Sequence, residues 1–342
     1  MSLFRNDQFP FLLMVILSLA AIILFWSIMD MVLLGASLAV VLMPVYQRLS
    51  HYTRPLFSAA LVTAGTIGAF AAVIGFTLVI FSSNAATLTG MFTSISGWIS
   101  DPETSLLVFG IPLNKASIIS ILSTGKLLFV GYEETLINNL SLIVFKAFIF
   151  FFTLFILLLH GVELKKRITD RMPESLSSYV NRLSEVTVDT LYAIYVVQVA
   201  IAVLTFFIAM PVFYLLGYGN IIFYSFFAAF CELIPILGAS IAFLLIGAYS
   251  MAIGDIRGVF ILFFLGYIVV SCMPEIFIRP VLVGRRVKIS PVIMFIGIIG
   301  GILTMGLAGF VLGPVIVVLL ITSYRMYIQD RKDQALADTP DQ

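Results

Sequence analysis

Charge is what this sequence has least of. Lys, Arg, Asp and Glu together make up 11% of its 342 residues, where a soluble domain carries about 25%. Hydrophobic residues make up 61%, and the mean hydropathy is +1.13. Too few polar side chains remain to cover a water-facing surface, so a soluble globular domain is excluded. The two cysteines, Cys231 and Cys272, sit in apolar segments without disulfide or metal-ligand spacing and read as packing residues. The two histidines, His51 and His160, lie at the edges of apolar runs and are too few for a His-built metal centre. A net charge of +1 gives no bulk attraction to nucleic acid. There is no G-x-x-x-x-G-K-[ST], which removes a P-loop ATP pump. There is no H-E-x-x-H or G-x-S-x-G, which removes the zincin and serine-hydrolase sites. No Arg-rich span is present to sense voltage. Neither an enzyme nor a cofactor is expected.

What the chain has instead is apolar runs of spanning length, roughly 20 residues each. The ten-residue alternation of an outer-membrane barrel is absent. Helices are therefore the expected spanning element, because lipid offers no partner to an open sheet edge. The apolar run after Arg5 is longer than a signal-peptide core, and no A-x-A-like site follows it, so it reads as a permanent span. Six segments read as full spans: 11–29, 31–46 (with a turn at Asp30), 56–81, 141–160, 191–216 and 256–278. Two more, 220–253 and 290–323, are too long for one straight helix. The first breaks at Pro235-Ile-Leu-Gly238 and the second within "GGILTMGLAG", Gly300 to Gly309.

Charge sets the expected topology. Of the 19 Lys and Arg, 15 fall in the N-terminus, 47–55, 161–190, 279–289 and the tail. The connector 82–140 holds only Lys115 and Lys126 against four acids. The positive-inside rule then puts both termini and the basic loops in the cytoplasm and 82–140 outside. With those assignments 220–253 and 290–323 must each enter and return to the same side, from opposite faces, the layout of an inverted repeat. The expected organisation is three N-terminal spans (1–81), an outer loop with interfacial helices and Trp98 at headgroup level (82–140), and a span at 141–160. A cytoplasmic amphipathic segment (161–190), a transport core (191–323) and a cytoplasmic tail (324–342) follow. The fold class is an all-α integral membrane protein.

The polar residues inside the apolar runs are the candidate site. Glu232, in "FCELIPILGAS", is 12 residues past Asn220, about 18 Å of helix, beyond the middle of a roughly 30 Å core. A carboxylate at that depth costs a few kcal/mol unless it is paired, hydrated or protonated. Broken backbone there must be buried in protein or line a wet cavity. Two readings follow. Glu232 is an ion or proton carrier at a helix break, or it caps the second half-helix by accepting from N–H groups beyond Pro235. Gly238, Gly300, Gly301, Gly306 and Gly309 would let unwound backbone approach a solute, with Thr304 and Ser290 the nearby hydroxyls. The GxxxG matches Gly297–Gly301 and Gly309–Gly313 equally suit close helix packing. Glu275 and Arg279, at i and i+4, suit an interfacial ion pair as well as a gate or relay, although Pro280 can end that helix first. Gln198 suits the same cavity, or a hydrogen bond to a neighbouring helix. Asp255 and Arg257 read as interfacial. The outer segment and the Phe-rich 141–160 offer more apolar surface than one bundle covers, which points to a homo-oligomer.

Three motifs in order, "ELIPILG" (232–238), "PEIFIRPVLVGRRVKISP" (274–291) and "GIIGGILTMGLAGFVLGPV" (297–315), resemble the autoinducer-2 exporter family of prokaryotic membrane proteins. The earlier spans fit the same pattern. The resemblance implies a polytopic plasma-membrane secondary transporter that exports a small polar solute such as autoinducer-2. A sodium/proton antiporter is the nearest rival, and a passive channel or scaffold a further one. The partners it implies are a small solute or cation, the lipid bilayer and further copies of the chain, with a pentamer as the form it suggests. The substrate or coupling ion is expected between the two hairpin tips. The sequence departs from the family pattern at Ile276, where many members carry Asn after the acid.

Overall fold

The computed structural model describes residues 8–101, 107–108, 111–112, 114–130, 137–233, 238–278 and 291–337. It is helical apart from a two-rung antiparallel ladder, β1 (Leu107–Val108) with β2 (Ile111–Pro112). The helices are α1 (Gln8–Ser50), α2 (Pro55–Ser83), α3 (Ala85–Ser100), α4 (Lys115–Val130), α5 (Leu140–Thr169) and α6 (Glu174–Tyr192). They continue with α7 (Gln198–Leu216), α8 (Ile221–Glu232), α9 (Ser240–Ala252), α10 (256–278) and α11 (Pro291–Ala337). Among the described residues, five helical stretches are long and apolar enough to cross a bilayer: Ser27–Ser50, Pro55–Ser83, Leu140–Thr169, Leu176–Leu216 and Ala308–Gln329.

The chain forms two compact units. The first is built from α1, the start of α2, α5, α6 and α11. Here the expected turn at Asp30 is corrected: 11–29 and 31–46 are parts of one continuous 43-residue helix, about 65 Å long. Neither Gly nor Pro flanks Asp30, so nothing stops the helix there. The carboxylate is instead satisfied by Lys146 of α5, with Nζ 2.7 Å from Oδ2. Five residues on, Gly35 lets α1 lie against α5, since a Cβ there would stand 2.6 Å from the Phe150 carbonyl oxygen. Leu154 and Leu158 of α5 are fully buried. In α11 the chain reverses at Gly306, whose φ of +57° and ψ of −132° leave the helical region.

The second unit holds the rest of α2 with α3, α4 and α7–α10. Its core is aromatic. Phe213 of α7 stacks on Phe243 of α9 with centroids 5.5 Å apart. Phe81 of α2 meets Phe223, Phe227 and Phe230 of α8 edge-on. Such pairs add about 0.5–1.5 kcal/mol each beyond area burial. Segments 85–100 and 115–130 of the 82–140 connector are helical and pack on each other, and α3 also packs on α9. The segment expected as the 256–278 span is helical, but Ile261–Cys272 and Pro274–Ile278 are wound as π-helix. A wide turn accommodates Pro274, which has no N–H to give and whose ring clashes with the i−4 carbonyl of an α-helix.

At one end of this unit, α7, α9 and α10 are tied by a polar corner. The Tyr218 hydroxyl donates to Asp255 Oδ2 at 2.6 Å and lies 2.9 Å from Ser250 Oγ. Gly258 N–H donates to Asp255 Oδ1 at 3.0 Å, capping α10. Arg257 donates to the Leu215 carbonyl at 2.6 Å, close to the end of α7. Burial, then the Asp255 hydrogen bond, pushes the Tyr218 phenol up to about 12. The Tyr218 hydroxyl and the Gly258 amide hold Asp255 below the usual carboxylate range. Asp255 therefore stabilises the corner at pH values above an ordinary carboxylate pKa of about 3.9. That contribution is lost as pH falls through the lowered folded-state value. Tyr218→Phe removes the largest cause of the lowering, so the variant should be less stable near pH 6 and should lose less stability on acidification than the wild type. Thermal unfolding followed from about pH 6 to about pH 3 measures this; coincident profiles would remove Tyr218 from the account.

Candidate functional site

The site is built where α8 stops. Ile221–Glu232 and Ser240–Ala252 are helices of 12 and 13 residues, about 18–20 Å each, and each is too short to cross a roughly 30 Å core alone. A helix that ends inside the protein leaves carbonyls without partners at one end and N–H groups at the other. Side chains close both ends. Gln198 Nε2, from the first turn of α7, donates to the Glu232 carbonyl at the end of α8. The Glu232 carboxylate turns across the break, and its Oε2 accepts from Ala239 N–H at 2.7 Å, at the start of α9. A negative group is favoured at a helix N-terminus by the macrodipole as well as by that hydrogen bond.

Glu232 is 1% exposed and Gln198 3%, so the arrangement sits in the protein interior. Gly238 makes room for it. Its φ is +44°, and a Cβ at that position would lie 2.6 Å from Glu232 Oε2. A one-turn π segment, Ala193–Val197, immediately precedes Gln198. Such single turns shift the register of a helix face and recur at functional sites.

The structure thus brings together Glu232, Gln198 and Gly238 of the sequence-predicted residues, and it adds the Ala239 amide. Pro235 and Arg279 lie outside the described residues. Glu275 has its backbone within the π segment Pro274–Ile278.

The remaining candidates belong to α11 in the other unit. Gly300, Gly301 and Gly309 are helical and not unwound; the departure from helix in this stretch is at Gly306 alone among them. The arms before and after Gly306 lie antiparallel with backbone against backbone. A Cβ on Gly301 would stand 2.0 Å from the Gly309 carbonyl oxygen, and one on Gly313 would stand 2.0 Å from that of Gly297. The two GxxxG matches therefore face each other. Thr304 Oγ1 donates to the Gly300 carbonyl at 2.9 Å. It lines a groove of about 200 Å³ with Gly300, Gly301 and Gly309.

Sequence reasoning missed two features. The Asp30–Lys146 pair had a signal, since Lys146 is a cation inside the apolar run 141–160 and requires a partner. The Tyr218–Asp255 link had none, because its partners are 37 residues apart.

The family described as "AI-2E family transporter" matches residues 12–329. The chain is 26% identical over 311 residues, 89% of both chains, to a protein of Methanothermobacter thermautotrophicus named "Putative transport protein". It is 26% identical over 209 residues to one so named in Methanocaldococcus jannaschii, covering 61% of this chain and 60% of the relative. A third so named, from Aquifex aeolicus, is 28% identical over 188 residues, 54% of this chain and 51% of the relative. With its apolar helices and buried carboxylate, the chain is a multi-pass membrane transporter. It belongs to the AI-2E family.

Proposed function

We propose that the protein is a secondary transporter in which Glu232 carries the coupling proton or cation and the transported solute is small and polar, of the polyhydroxy class of autoinducer-2. The observation that carries the reading is the Glu232 carboxylate, 1% exposed and bonded to the Ala239 amide across a break between two half-length helices. Low dielectric disfavours the charged form of a carboxylate, while the amide and the α9 N-terminus favour it. Opposed demands of this kind suit a group that changes its protonation state during a cycle. Protonation weakens the bond to Ala239 N–H and frees N–H donors at a helix N-terminus, from which a hydroxyl of a polar solute can then accept. In this reading both termini and the basic loops are cytoplasmic in a prokaryotic plasma membrane, 220–253 and 290–323 are re-entrant, and the working form is a homo-oligomer, a pentamer by family resemblance.

A sodium/proton antiporter is the second reading. The same buried carboxylate favours it, because cation exchange needs one titratable group and no other binding chemistry. Flux in sealed proteoliposomes separates the two. With the proposed function, autoinducer-2 or a related polyol moves, and an imposed pH gradient accelerates it. Sodium flux driven by the gradient, with no polyol movement, would decide for the antiporter. Downhill flux indifferent to the gradient would mark a passive channel.

A further inference from the structure

Three hydroxyls of the second unit are sealed from solvent without a hydrogen-bond partner among the described residues: Thr205 on α7, Ser225 on α8 and Ser271 on α10. This is unusual for helical Ser and Thr, which return their hydroxyl to a carbonyl one turn back. Thr187, Thr190 and Ser250 of this chain do so. A buried hydroxyl without a partner costs free energy and calls for an explanation.

Two of the three lie on helices that pack against each other. Helices α7 and α8 are joined by the short segment 217–220 and pack along their length, with Gln198 at one end of the contact touching Glu232. Thr205 follows Gln198 by seven residues, and Ser225 precedes Glu232 by seven. Seven residues bring an α-helix back to within about 20° of the same face and advance it by about 10 Å. Gln198 reaches the end of α8 and Phe213 of α7 packs on Tyr224 of α8, so Thr205 and Ser225 stand within about one turn of each other along the antiparallel seam. Both are 0% exposed. Midway, by the same count, stand Ala202 and Ala228, whose side chains are small.

We propose that Thr205 and Ser225 together hold a buried water molecule, a polar station on the α7–α8 seam about 10 Å from Glu232. The chemistry of the level selects water. Two neutral hydroxyls, each able to donate and to accept, supply partners of the kind a buried water takes. Glu232 is the one carboxylate of α7 and α8, so neither helix supplies a charge at that level to balance a cation. The station extends the polar character of the Glu232 site along the seam, toward the end of the unit where Tyr218 and Asp255 lie. Its use as a wet route to Glu232 rests on the proposed carrier role; the water site itself does not.

The test is a thermal-unfolding cycle on the full-length protein in detergent: wild type, Thr205→Val, Ser225→Ala and the double variant, with Thr205→Ser as the conservative control. A shared water loses a partner in each single variant, so each should lower Tm by about 2–4 °C. The double variant removes both partners and the water together, and should recover most of that loss. Thr205→Ser loses a buried methyl and some Tm with it, but it keeps the hydroxyl and should keep the wild-type response to Ser225→Ala. Two single variants that each raise Tm, with additive effects, would overturn the proposal, because that is the behaviour of hydroxyls that bind nothing. A coupling present in sodium buffer and absent in potassium buffer would overturn it in favour of a cation. Transport does not enter these measurements. A failure of Glu232 as carrier would therefore show in flux and leave the cycle untouched.

Discussion

Glu232→Gln should insert and fold, and should lose the pH-dependent part of its transport. Glutamine keeps the length of the side chain and a carbonyl oxygen able to accept from Ala239 N–H, so the break stays closed. A charge-assisted bond becomes a neutral one, at a cost of about 1 kcal/mol. Gln198 continues to hold the end of α8, because its acceptor is the backbone carbonyl of residue 232. What glutamine cannot do is bind and release a proton. Flux through the variant in proteoliposomes should therefore no longer respond to a pH gradient, while Tm changes little. The combination matters. If Tm falls and flux keeps its wild-type pH dependence, Glu232 is a structural cap and the carrier must be sought elsewhere.

Gly309→Ala should prevent α11 from folding back on itself. The added Cβ would stand 1.8 Å from the Gly301 carbonyl oxygen, and the obstacle is backbone, so no rotamer change relieves it. The two arms must part by more than an ångström, at a cost of about 3 kcal/mol or more. Gly301→Ala meets the same obstacle from the other side. Gly300, one residue away, has nothing within 4 Å of a Cβ. Gly300→Ala should be harmless or stabilising, by up to about 1 kcal/mol, through helix propensity alone. Size-exclusion profiles of the detergent-solubilised variants compare them directly. Equal profiles for Gly300→Ala and Gly309→Ala would refute close backbone packing as the role of this glycine pair.

These contrasts show which parts of the molecule the sequence made legible. Segments at 56–81, 141–160 and 191–216 were readable because a bilayer demands length and apolarity, both one-dimensional properties. Each emerged as helix, and 141–160 and 191–216 continue into the polar segments beside them. Asp30 misled because an acid between apolar runs resembles a turn; the partner that keeps it inside a helix, Lys146, is 116 residues away. The glycine-rich stretch 300–309 announced a reversal, yet composition does not say which glycine turns and which ones touch. Gly306 turns; Gly301 and Gly309 touch. The burial of Glu232 followed from its position in an apolar run. Its bond to Ala239 is local enough to have been anticipated as a cap. Its tie to Gln198 is not, because that contact depends on how α7 and α8 align. The π winding of 261–278 was also beyond reach, since apolar periodicity alone does not separate a wide helix from an ordinary one.

The glycine contact within α11 has a mechanical consequence. Where helices meet through interlocked side chains, a small displacement is absorbed by rotamers before it reaches the other side. Between Gly297 and Gly313, and between Gly301 and Gly309, no side chain stands between the arms, so little is available to yield. A push on one arm passes to the other almost undiminished, and the folded pair behaves as a stiff lever whose compliance is concentrated at its tip, Gly306.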